Sequence, residues 1–341
     1  MKKKLYFRDF NNVVAPVLER LTDYEIVNDA RDCDLILTWQ DVRGDMNELA
    51  KINAEYLHKP FIVIQHGRAA TNDYLPPNKF LMHATKFCCW GMADYKRLER
   101  AGFADKAVVT GSPLVDYIKP KEPHDGKNIL FVPVVSSHEE PENIESYWNL
   151  KRIEISRSLI KLNQCKDALK NEWNAWLVQK TSATEGTIPY YNFNKDWRLI
   201  AKLTDIHDKK LYFGDIVQTS QGNKQHLIDT IRLLQMTDCV VTIEEGTLPL
   251  LAMAMGIPVV AVEGFKYRQY GGVDYSSVEM VKTTGVRRVE LSDLEKVIDE
   301  ELANPNTLSE QRKKVVSDEL YDGSSNPIDN IVNVIKGELN G

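Results

Sequence analysis

The sequence is poor in cysteine and has no long hydrophobic run. Its five cysteines are odd in number and scattered over 341 residues, and no two of them have the spacing of metal ligands. We therefore expect neither a disulfide framework nor a zinc site, and we predict a reduced, cytoplasmic protein. No apolar run is long enough to cross a bilayer. Met1–Lys4 leads into a short strand-like segment rather than a signal peptide, so we expect no transmembrane segment.

An excess of positive charge and the common nucleotide motifs are also missing. The formal net charge is −6 at pH 7, which argues against general nucleic-acid binding because a phosphate backbone requires a positive surface. The absence of a Walker A motif and of Gly-x-Gly-x-x-Gly disfavours kinases and dehydrogenases. There is no His-Glu-x-x-His motif and no Asp-x-Asp motif near the carboxyl end of a strand. We therefore expect no metal ion and no other cofactor.

The sequence does contain a long alternation of apolar strands and helices. Continuous apolar strands separated by helices are typical of a parallel sheet that is covered on both faces. The early part of the chain predicts strands at 5–7, 34–39, 61–64, 87–90 and 108–110, and helices at 13–21, 46–56 and 92–101. The later part predicts strands at 128–133, 176–180, 210–213, 239–243 and 258–262, and helices at 144–172, 226–236 and 248–255.

A charged segment with two prolines and a glycine, Lys119–Lys127, separates these two parts. We therefore predict an N-terminal Rossmann-like domain (1–118), a linker (119–127) and a C-terminal Rossmann-like domain (128–325). A last helix over 326–341 is expected to return to the N-terminal domain. The predicted fold is α/β, with two Rossmann-like domains facing a central cleft that is lined by the carboxyl ends of strands.

The turn after the predicted strand 239–243 is the most informative segment of the chain. It carries Glu244, Glu245, Gly246 and Thr247, and a buried helix follows. Such turns lie at the carboxyl ends of parallel strands, where ligands bind. Gly246 allows close approach of the backbone, and the N–H groups at the start of the helix bind phosphate. Of the two adjacent acids we favour Glu245 as the acceptor from ribose hydroxyls. The turn predicts a nucleotide that is joined to another group through phosphate.

Four further residues are candidates for contacts with the phosphates or the nucleotide. Lys180 ends a predicted strand and would stabilise a leaving diphosphate, although a surface lysine is an equal alternative. His226 opens a predicted helix and would contact a phosphate or the base; the alternative is a partly buried histidine at a helix start. Ser324 and Ser325 would donate to phosphate, although a Gly-Ser-Ser turn is also typical of a loop or a helix cap.

Several of these segments resemble known families. The segment 238–260 resembles the donor-binding half of GT-B glycosyltransferases and the related half of UDP-N-acetylglucosamine 2-epimerases. The segment 64–67 is similar to the His-Gly turn of CDP-glycerol glycerophosphotransferases and capsule-type Kdo transferases. The segments 90–91, 109–116 and 322–328 are similar to other parts of these polymer transferases. The resemblance implies the GT-B fold and a transferase of polysaccharide biosynthesis.

His66 is the first candidate for chemistry, because it follows a predicted buried strand. An inverting transferase needs a base for the proton of the acceptor hydroxyl, and an imidazole with a pKa near neutrality suits this. The alternative is a histidine that caps the strand or bonds its own loop. Asp41 and Asp9 follow other predicted strands and are the candidate carboxylate bases, although Asp9 is equally suited to cap a helix.

These features predict a metal-independent, nucleotide-sugar-dependent glycosyltransferase. It would move a sugar, or a glycerophosphate-like group, from a nucleotide-activated donor to a hydroxyl acceptor such as a glycan or another small acceptor. The alternatives are a nucleotide-sugar epimerase of the UDP-N-acetylglucosamine 2-epimerase type and a nucleotide-sugar-binding protein without turnover. The residues leave open the nucleotide base, the sugar, the acceptor and the stereochemical outcome.

Overall fold

A computed structural model describes most of the first third of the chain and most of its end. The described residues are 2–7, 15–42, 44–68, 70–76, 79–123, 127–132, 197–203, 216–218, 224–242, 246–262, 283–290 and 293–340. The elements predicted at 144–172, 176–180 and 210–213 lie outside these ranges. Three predicted site residues, Asp9, Lys180 and Glu245, also lie outside them.

Strands and helices alternate along the described residues. The strands are β1 (Lys4–Phe7), β2 (Glu25–Val27), β3 (Leu35–Thr38), β4 (Phe61–Ile64), β5 (Lys86–Cys89), β6 (Ala107–Val109), β7 (Lys127–Val132), β8 (Trp197–Leu203), β9 (Ile216–Gln218), β10 (Cys239–Thr242), β11 (Val259–Val262) and β12 (Arg287–Val289). The α-helices are α1 (Ala15–Arg20), α2 (Gly44–Ile52), α3 (Met92–Arg100), α4 (Lys224–Gln235), α5 (Thr247–Ala254), α6 (Leu294–Ala303), α7 (Ser309–Glu319) and α8 (Pro327–Asn340).

The chain divides into two compact units. The first contains Met1–Ile118, Gly222–Leu227 and Lys314–Gly341, and the second contains Lys119–Gln221 and Ile228–Lys313. Each unit is built around one sheet, and all described strand pairs in both sheets are parallel. The predicted domain boundaries themselves stay a prediction.

The sheet of the first unit has the strand order β2-β1-β3-β4-β5-β6. The order reverses between β1 and β3, and a doubly wound sheet binds ligands outside the carboxyl ends of its strands at such a point. β3 and β4 are four residues long and buried throughout. Because they do not alternate between apolar and polar residues, helices must cover both of their faces.

The sheet of the second unit has the order β12-β11-β10-β7-β8-β9. Counted from β7, this is the 3-2-1-4-5-6 order of Rossmann domains. The reversal lies between β7 and β10, which pair from Cys239 with Ile129 to Thr242 with Val132. The turn that follows β10 therefore starts at the point where Rossmann domains bind nucleotides.

The structure confirms the predicted α/β fold with two Rossmann-like sheets. The predicted apolar strands in the described ranges agree with the observed ones to within one or two residues. The predicted helix 46–56 begins two residues earlier and ends in a π turn, Asn53–Leu57. The sequence patterns did not predict β2, β8, β9 or β12. β2 and β12 have only three residues each and contain charged residues, Glu25 in β2 and two arginines in β12, so neither has a long apolar run.

Two glycines allow the end of the chain to pack directly on the sheet of the first unit. A Cβ at Gly91 would lie 2.2 Å from the carbonyl oxygen of Asp318, and a Cβ at Gly111 would lie 2.7 Å from Cγ of Pro327. Gly111 also has φ +82°, in the left-handed region that other residues rarely adopt. These positions follow β5 and β6, so the turns after both strands require glycine.

Polar contacts hold the same packing. The backbone N–H of Ser112 donates to the carbonyl oxygen of Leu320 over 2.8 Å. The Arg68 Nε donates to the Glu319 Oε2 over 2.6 Å, and both side chains are almost fully buried. Separating these two side chains would leave each charge buried without its partner, which is strongly unfavourable, so the pair holds the two segments together. The end of α7 is therefore fixed to the turn after β4 as well as to the turns after β5 and β6.

Replacement of Gly91 by alanine is expected to lower the free energy of unfolding by about 1–3 kcal/mol, because the new Cβ overlaps a backbone carbonyl. Gly337→Ala is the matched control. Gly337 lies within α8, and outside its own helix no atom of a described residue lies within 4 Å of the place its Cβ would take. Alanine should therefore raise stability there by up to about 1 kcal/mol. Urea unfolding followed by circular dichroism measures both changes, and an unchanged midpoint for Gly91→Ala would contradict the packing.

Candidate functional site

The turn after β4 holds His66 against the end of β3. The His66 Nδ1 lies 3.0 Å from the carbonyl oxygen of Trp39, and the two rings pack edge to face with centroids 4.6 Å apart. A carbonyl oxygen only accepts, so Nδ1 carries the proton of the neutral ring and Nε2 carries the basic lone pair. This tautomer suits a proton acceptor at Nε2. The same hydrogen bond also joins the end of β4 to the end of β3. It is therefore equally consistent with a purely structural role for His66.

A buried polar network fixes the backbone on both sides of His66. Gln65 is fully buried. Its Nε2 donates to the carbonyl oxygen of Gly67 over 3.0 Å and to the Asp94 Oδ2 over 2.8 Å. Its Oε1 accepts from the backbone N–H of Trp90 over 2.9 Å. The Trp90 indole Nε1 donates to the carbonyl oxygen of Gln65 over 2.7 Å. The amide of one side chain thus joins the turn after β4 to the turn after β5.

Asp94 completes this network from the first turn of α3. Its Oδ1 accepts from the Thr71 Oγ1 over 2.6 Å and from the Arg97 Nη1 over 2.8 Å. A carboxylate in the first turn also interacts favourably with the helix dipole. Leaving one of these buried groups without its partner costs about 1–3 kcal/mol, so the network favours a single conformation. Sequence reasoning missed Gln65 and Asp94 as positioning residues; the available signal was an amide that follows a fully apolar strand.

Asp41 is a buried hydrogen-bond acceptor at the end of β3. Its side chain accepts from the Tyr74 hydroxyl over 2.5 Å and from the backbone N–H groups of His83 and Ala84 over 2.8 Å each. Burial raises the pKa of the Asp41 carboxyl, and the three hydrogen bonds oppose the rise. These bonds anchor the segment that leads into β5. The catalytic role predicted for Asp41 stays a prediction, and its bonds are those of a structural anchor.

In the second unit, α5 begins directly after Gly246, which is its N-cap and has no side-chain cap. Gly246 has φ −79°, which any residue adopts. A Cβ there would meet no described atom within 4 Å. Neither backbone strain nor packing among the described residues therefore requires glycine at this position. Glycine at this N-cap is compatible with a ligand that approaches the start of the helix.

The first turn of α5 can donate to such a ligand. Backbone N–H groups at a helix start point out of the helix end and favour anions. Pro249 has no N–H, so Thr247 and Leu248 carry the backbone N–H groups of this turn that precede the first intrahelical bonds. The rest of the helix is apolar and buried, and it ends before Gly256, whose φ of +76° is the left-handed conformation that glycine commonly adopts just after a helix. A buried helix keeps these donors in one position at the strand-order reversal.

The remaining predicted site residues lie apart in the chain. His226 lies in the first turn of α4, as predicted, and its side chain is outside the described part. Ser324 and Ser325 lie in an exposed turn before α8, in the first unit. The Ser324 N–H donates to the Asp322 Oδ1 over 2.9 Å, and the Ser325 Oγ accepts from the Asn330 Nδ2 over 2.7 Å. The phosphate contacts predicted for both serines stay a prediction.

The described residues contain neither a metal site nor a membrane-spanning helix, and their cysteines are unreactive. They contain no group of three or more His, Cys, Asp or Glu side chains that could hold a metal ion. None of the helices among them is long and apolar enough to cross a membrane. The four cysteines in the described ranges are unpaired and buried. Burial raises the pKa of the Cys88 thiol to about 12, so this thiol is not a nucleophile at neutral pH.

The raised pKa of Asp41 predicts a pH dependence of stability. The ordinary pKa of the carboxyl is 3.8, and its pKa in the folded protein is higher. Its contribution to the free energy of unfolding is therefore fully present below pH 3.8 and is lost as the pH rises through the folded pKa. The stability of the protein relative to Asp41→Asn should fall over this interval by at most about 1.4 kcal/mol per pH unit. Urea unfolding of both proteins from acid to neutral pH measures it, and a constant difference would contradict the assignment.

Comparisons with known proteins give no match by sequence and clear matches by fold. No protein-family model and no curated protein matches the chain. The structure of the wall teichoic acid polymerase TagF aligns with 99% of this chain and 89% of its own, with a TM-score of 0.55 and 11% identity. A variant of TagF aligns with the same coverage and a TM-score of 0.56. The calicheamicin glycosyltransferase CalG4 aligns with 100% of this chain and 99% of its own, with a TM-score of 0.50 and 9% identity.

These solved structures are GT-B glycosyltransferases. At such low identity the similarity shows the fold and leaves the substrates open. The strand orders of the two sheets agree with the two Rossmann-like domains of that fold. The chain therefore has the GT-B fold, as the resemblance of its segments implied.

Proposed function

We propose that this protein transfers a sugar, or a glycerophosphate-like group, from a nucleotide-activated donor to a hydroxyl acceptor, without a metal ion. The observation that carries the proposal is the position of α5: its N-cap, Gly246, has no side chain, and the helix begins at the strand-order reversal of the second sheet. The fold supports it, because TagF is a CDP-glycerol glycerophosphotransferase and one of its structures was soaked with CDPG. A cytoplasmic role in polysaccharide biosynthesis belongs to the same proposal.

The donor binds through its diphosphate in this proposal. The N–H groups of Thr247 and Leu248 donate to phosphate oxygens, and the helix dipole favours the negative charge. Glu245, next to Gly246, accepts from the ribose hydroxyls. Lys180 and His226 add contacts to the phosphates or the base, and the helix N-terminus and Lys180 stabilise the developing charge of the leaving group without a metal ion.

His66 takes the proton of the acceptor hydroxyl in this proposal. The acceptor oxygen forms a bond to the anomeric carbon, and the bond from that carbon to the diphosphate oxygen breaks, so the electron pair leaves with the nucleoside diphosphate. With a glycerophosphate-like donor the oxygen attacks phosphorus and a nucleoside monophosphate leaves. The bond from Nδ1 to Trp39 keeps Nε2 as the base. His66 is preferred over Asp41, whose carboxylate already accepts three buried hydrogen bonds.

Incubation with CDP-glycerol and with UDP- and CMP-linked sugars, in the presence of EDTA, tests the reaction class. Slow hydrolysis of one donor supports a transferase. The donor that is hydrolysed identifies the nucleobase that the protein recognises. A changed sugar with an intact diphosphate would show an epimerase instead. Binding without any turnover would show a nucleotide-sugar-binding protein. Loss of hydrolysis in EDTA would contradict metal independence.

Replacement of His66 by alanine should lower turnover by about 10²–10⁴-fold and leave donor affinity nearly unchanged, because a base acts on the acceptor proton. His58→Asn is the matched control, since His58 is exposed and asparagine tolerates its φ of +52°. The wild-type pH–rate profile should rise through an imidazole pKa. If His66→Ala kept wild-type turnover, His66 would have only a structural role, as the residue that connects the ends of β3 and β4.

Replacement of Glu245 by alanine should weaken nucleotide binding by about 1–3 kcal/mol, the usual loss for a hydrogen bond to a charged group. Calorimetry with the nucleotide of the hydrolysed donor measures the loss. Glu290→Ala, an exposed glutamate in the same unit, is the control and should bind normally. Unchanged affinity in a folded Glu245→Ala protein would show that the donor nucleotide does not bind at the start of α5.

A further inference from the structure

A cavity of about 400 Å³ lies within the first unit, at the carboxyl ends of β5 and β6. The backbone at Gly91 and Gly111 lines it on the side of the sheet. The turn at 321–325 and α8 line it on the side of the chain end. Because both glycines are required for this packing, the same contacts that fix the C-terminal segment also form the cavity. Its size suits a small organic molecule.

The polar groups of the cavity are hydroxyls, amides and one carboxylate. Asn330 donates through Nδ2 to the carbonyl oxygen of Thr110 over 3.0 Å and to the Ser325 Oγ, which fixes its orientation and leaves Oδ1 as an acceptor. Hydrogen bonds from the side chain and the backbone of Ser324 lower the pKa of Asp322, so its carboxylate stays ionised. The amide of Asn333 also lines the cavity. These groups both donate and accept hydrogen bonds.

The charges in and around the cavity disfavour an anion. Among the described residues that line it there is no lysine, arginine or histidine, whereas Asp322 is one of them. The N-terminus of α8 is already capped, since the Asn326 Oδ1 accepts from the backbone N–H groups of Ile328 and Asp329. The first turn of α3 holds the carboxylate of Asp94. A phosphate would therefore meet negative charge, and no cation among the described lining residues would balance it.

The remaining lining is apolar or aromatic. Val108, Val109 and Met92 contribute aliphatic surface, and Tyr321 contributes an aromatic ring. A sugar ring or a polyol chain presents C–H groups beside its hydroxyls. Such a molecule uses an apolar wall and a few fixed polar partners together, which is how small-ligand sites are generally built.

We propose that this cavity binds a neutral polyhydroxylated molecule, a sugar or a polyol, as a subsite for the acceptor. The subsite role rests on the proposed transferase function. Asp322 and Asn330 accept from its hydroxyls, the serine hydroxyls donate to its oxygens, and the apolar lining covers its C–H groups. The acceptor is then a sugar or a polyol, and it binds within the first unit.

Saturation-transfer NMR tests the binding directly, with glycerol, methyl α-D-glucoside and N-acetylglucosamine as probes and no donor present. Asn333→Trp is designed to fill the cavity, and Lys336→Trp, on the exposed surface of α8 outside the cavity, is its control. Asp322→Asn removes the charged acceptor, and Asp329→Asn is its control outside the lining. Melting curves by circular dichroism show that each variant is folded.

At least one probe should bind the wild type and both controls. Its signal should be lost in Asn333→Trp, and its affinity should fall about 10-fold in Asp322→Asn, in line with the loss of a hydrogen bond to a charged group. The absence of binding by all three probes would overturn the proposal, as would probe binding that Asn333→Trp leaves intact. Inorganic phosphate that binds wild type and is lost in Asn333→Trp would also overturn it and would assign the cavity to an anion.

Donor hydrolysis is measured separately and does not need this cavity. Hydrolysis of a nucleotide donor without binding of any probe would therefore leave the proposed function standing and refute only the subsite. Probe binding that is lost in Asn333→Trp, in a protein that hydrolyses no donor, would support the sugar or polyol site and refute the transferase.

Discussion

The strands of a parallel sheet all end at the same edge, and that constraint places both His66, the proposed base, and the proposed donor site at Gly246. Trp39 follows β3, His66 follows β4 and Gly246 follows β10 within a few residues. Because the strands are buried on both faces, their side chains cannot carry chemistry, and the turns after them must. The apolar runs that stabilise the two sheets thus also decide which residues can meet a substrate.

A turn that carries chemistry must also be held in one conformation, and in the first unit buried polar groups do this. Gln65 and Asp94 use their side chains to join the turns after β4 and β5 and the start of α3. Asp41 does the same for the segment before β5. Each group would be costly to bury alone and is tolerated because its partners are present. The second unit uses another device, a buried apolar helix whose N-terminus has a fixed position.

The sequence alone predicted those features that depend on residues close to one another in the chain. β3, β4 and β10 are continuous apolar runs, and Gly256 stands where a helix needs a left-handed C-cap, so all of them could be predicted. The resemblance of the segment 238–260 to GT-B donor domains agreed with the observed fold. Three-residue strands such as β2 have no such run and were missed.

Contacts between distant residues could not be predicted in this way. Arg68 and Glu319 form a buried pair although 251 residues separate them. The need for glycine at position 91 comes from the carbonyl of Asp318, which no local pattern reveals. The network around Gln65 likewise depends on Asp94, which reads in the sequence as an ordinary acid in the first turn of a helix. Local patterns therefore singled out His66 as a candidate and left the residues that hold its turn undetected.

Hydrogen exchange of the backbone amides, with and without CDP, UDP or CMP, tests the central claim most directly. The claim is that the donor nucleotide binds at the N-terminus of α5. One nucleotide should slow the exchange of Thr247 and Leu248, and the buried core of β3 and β4 should exchange at an unchanged rate. Binding of a nucleotide that leaves both amides unprotected, or that protects only residues of the first unit, would contradict it.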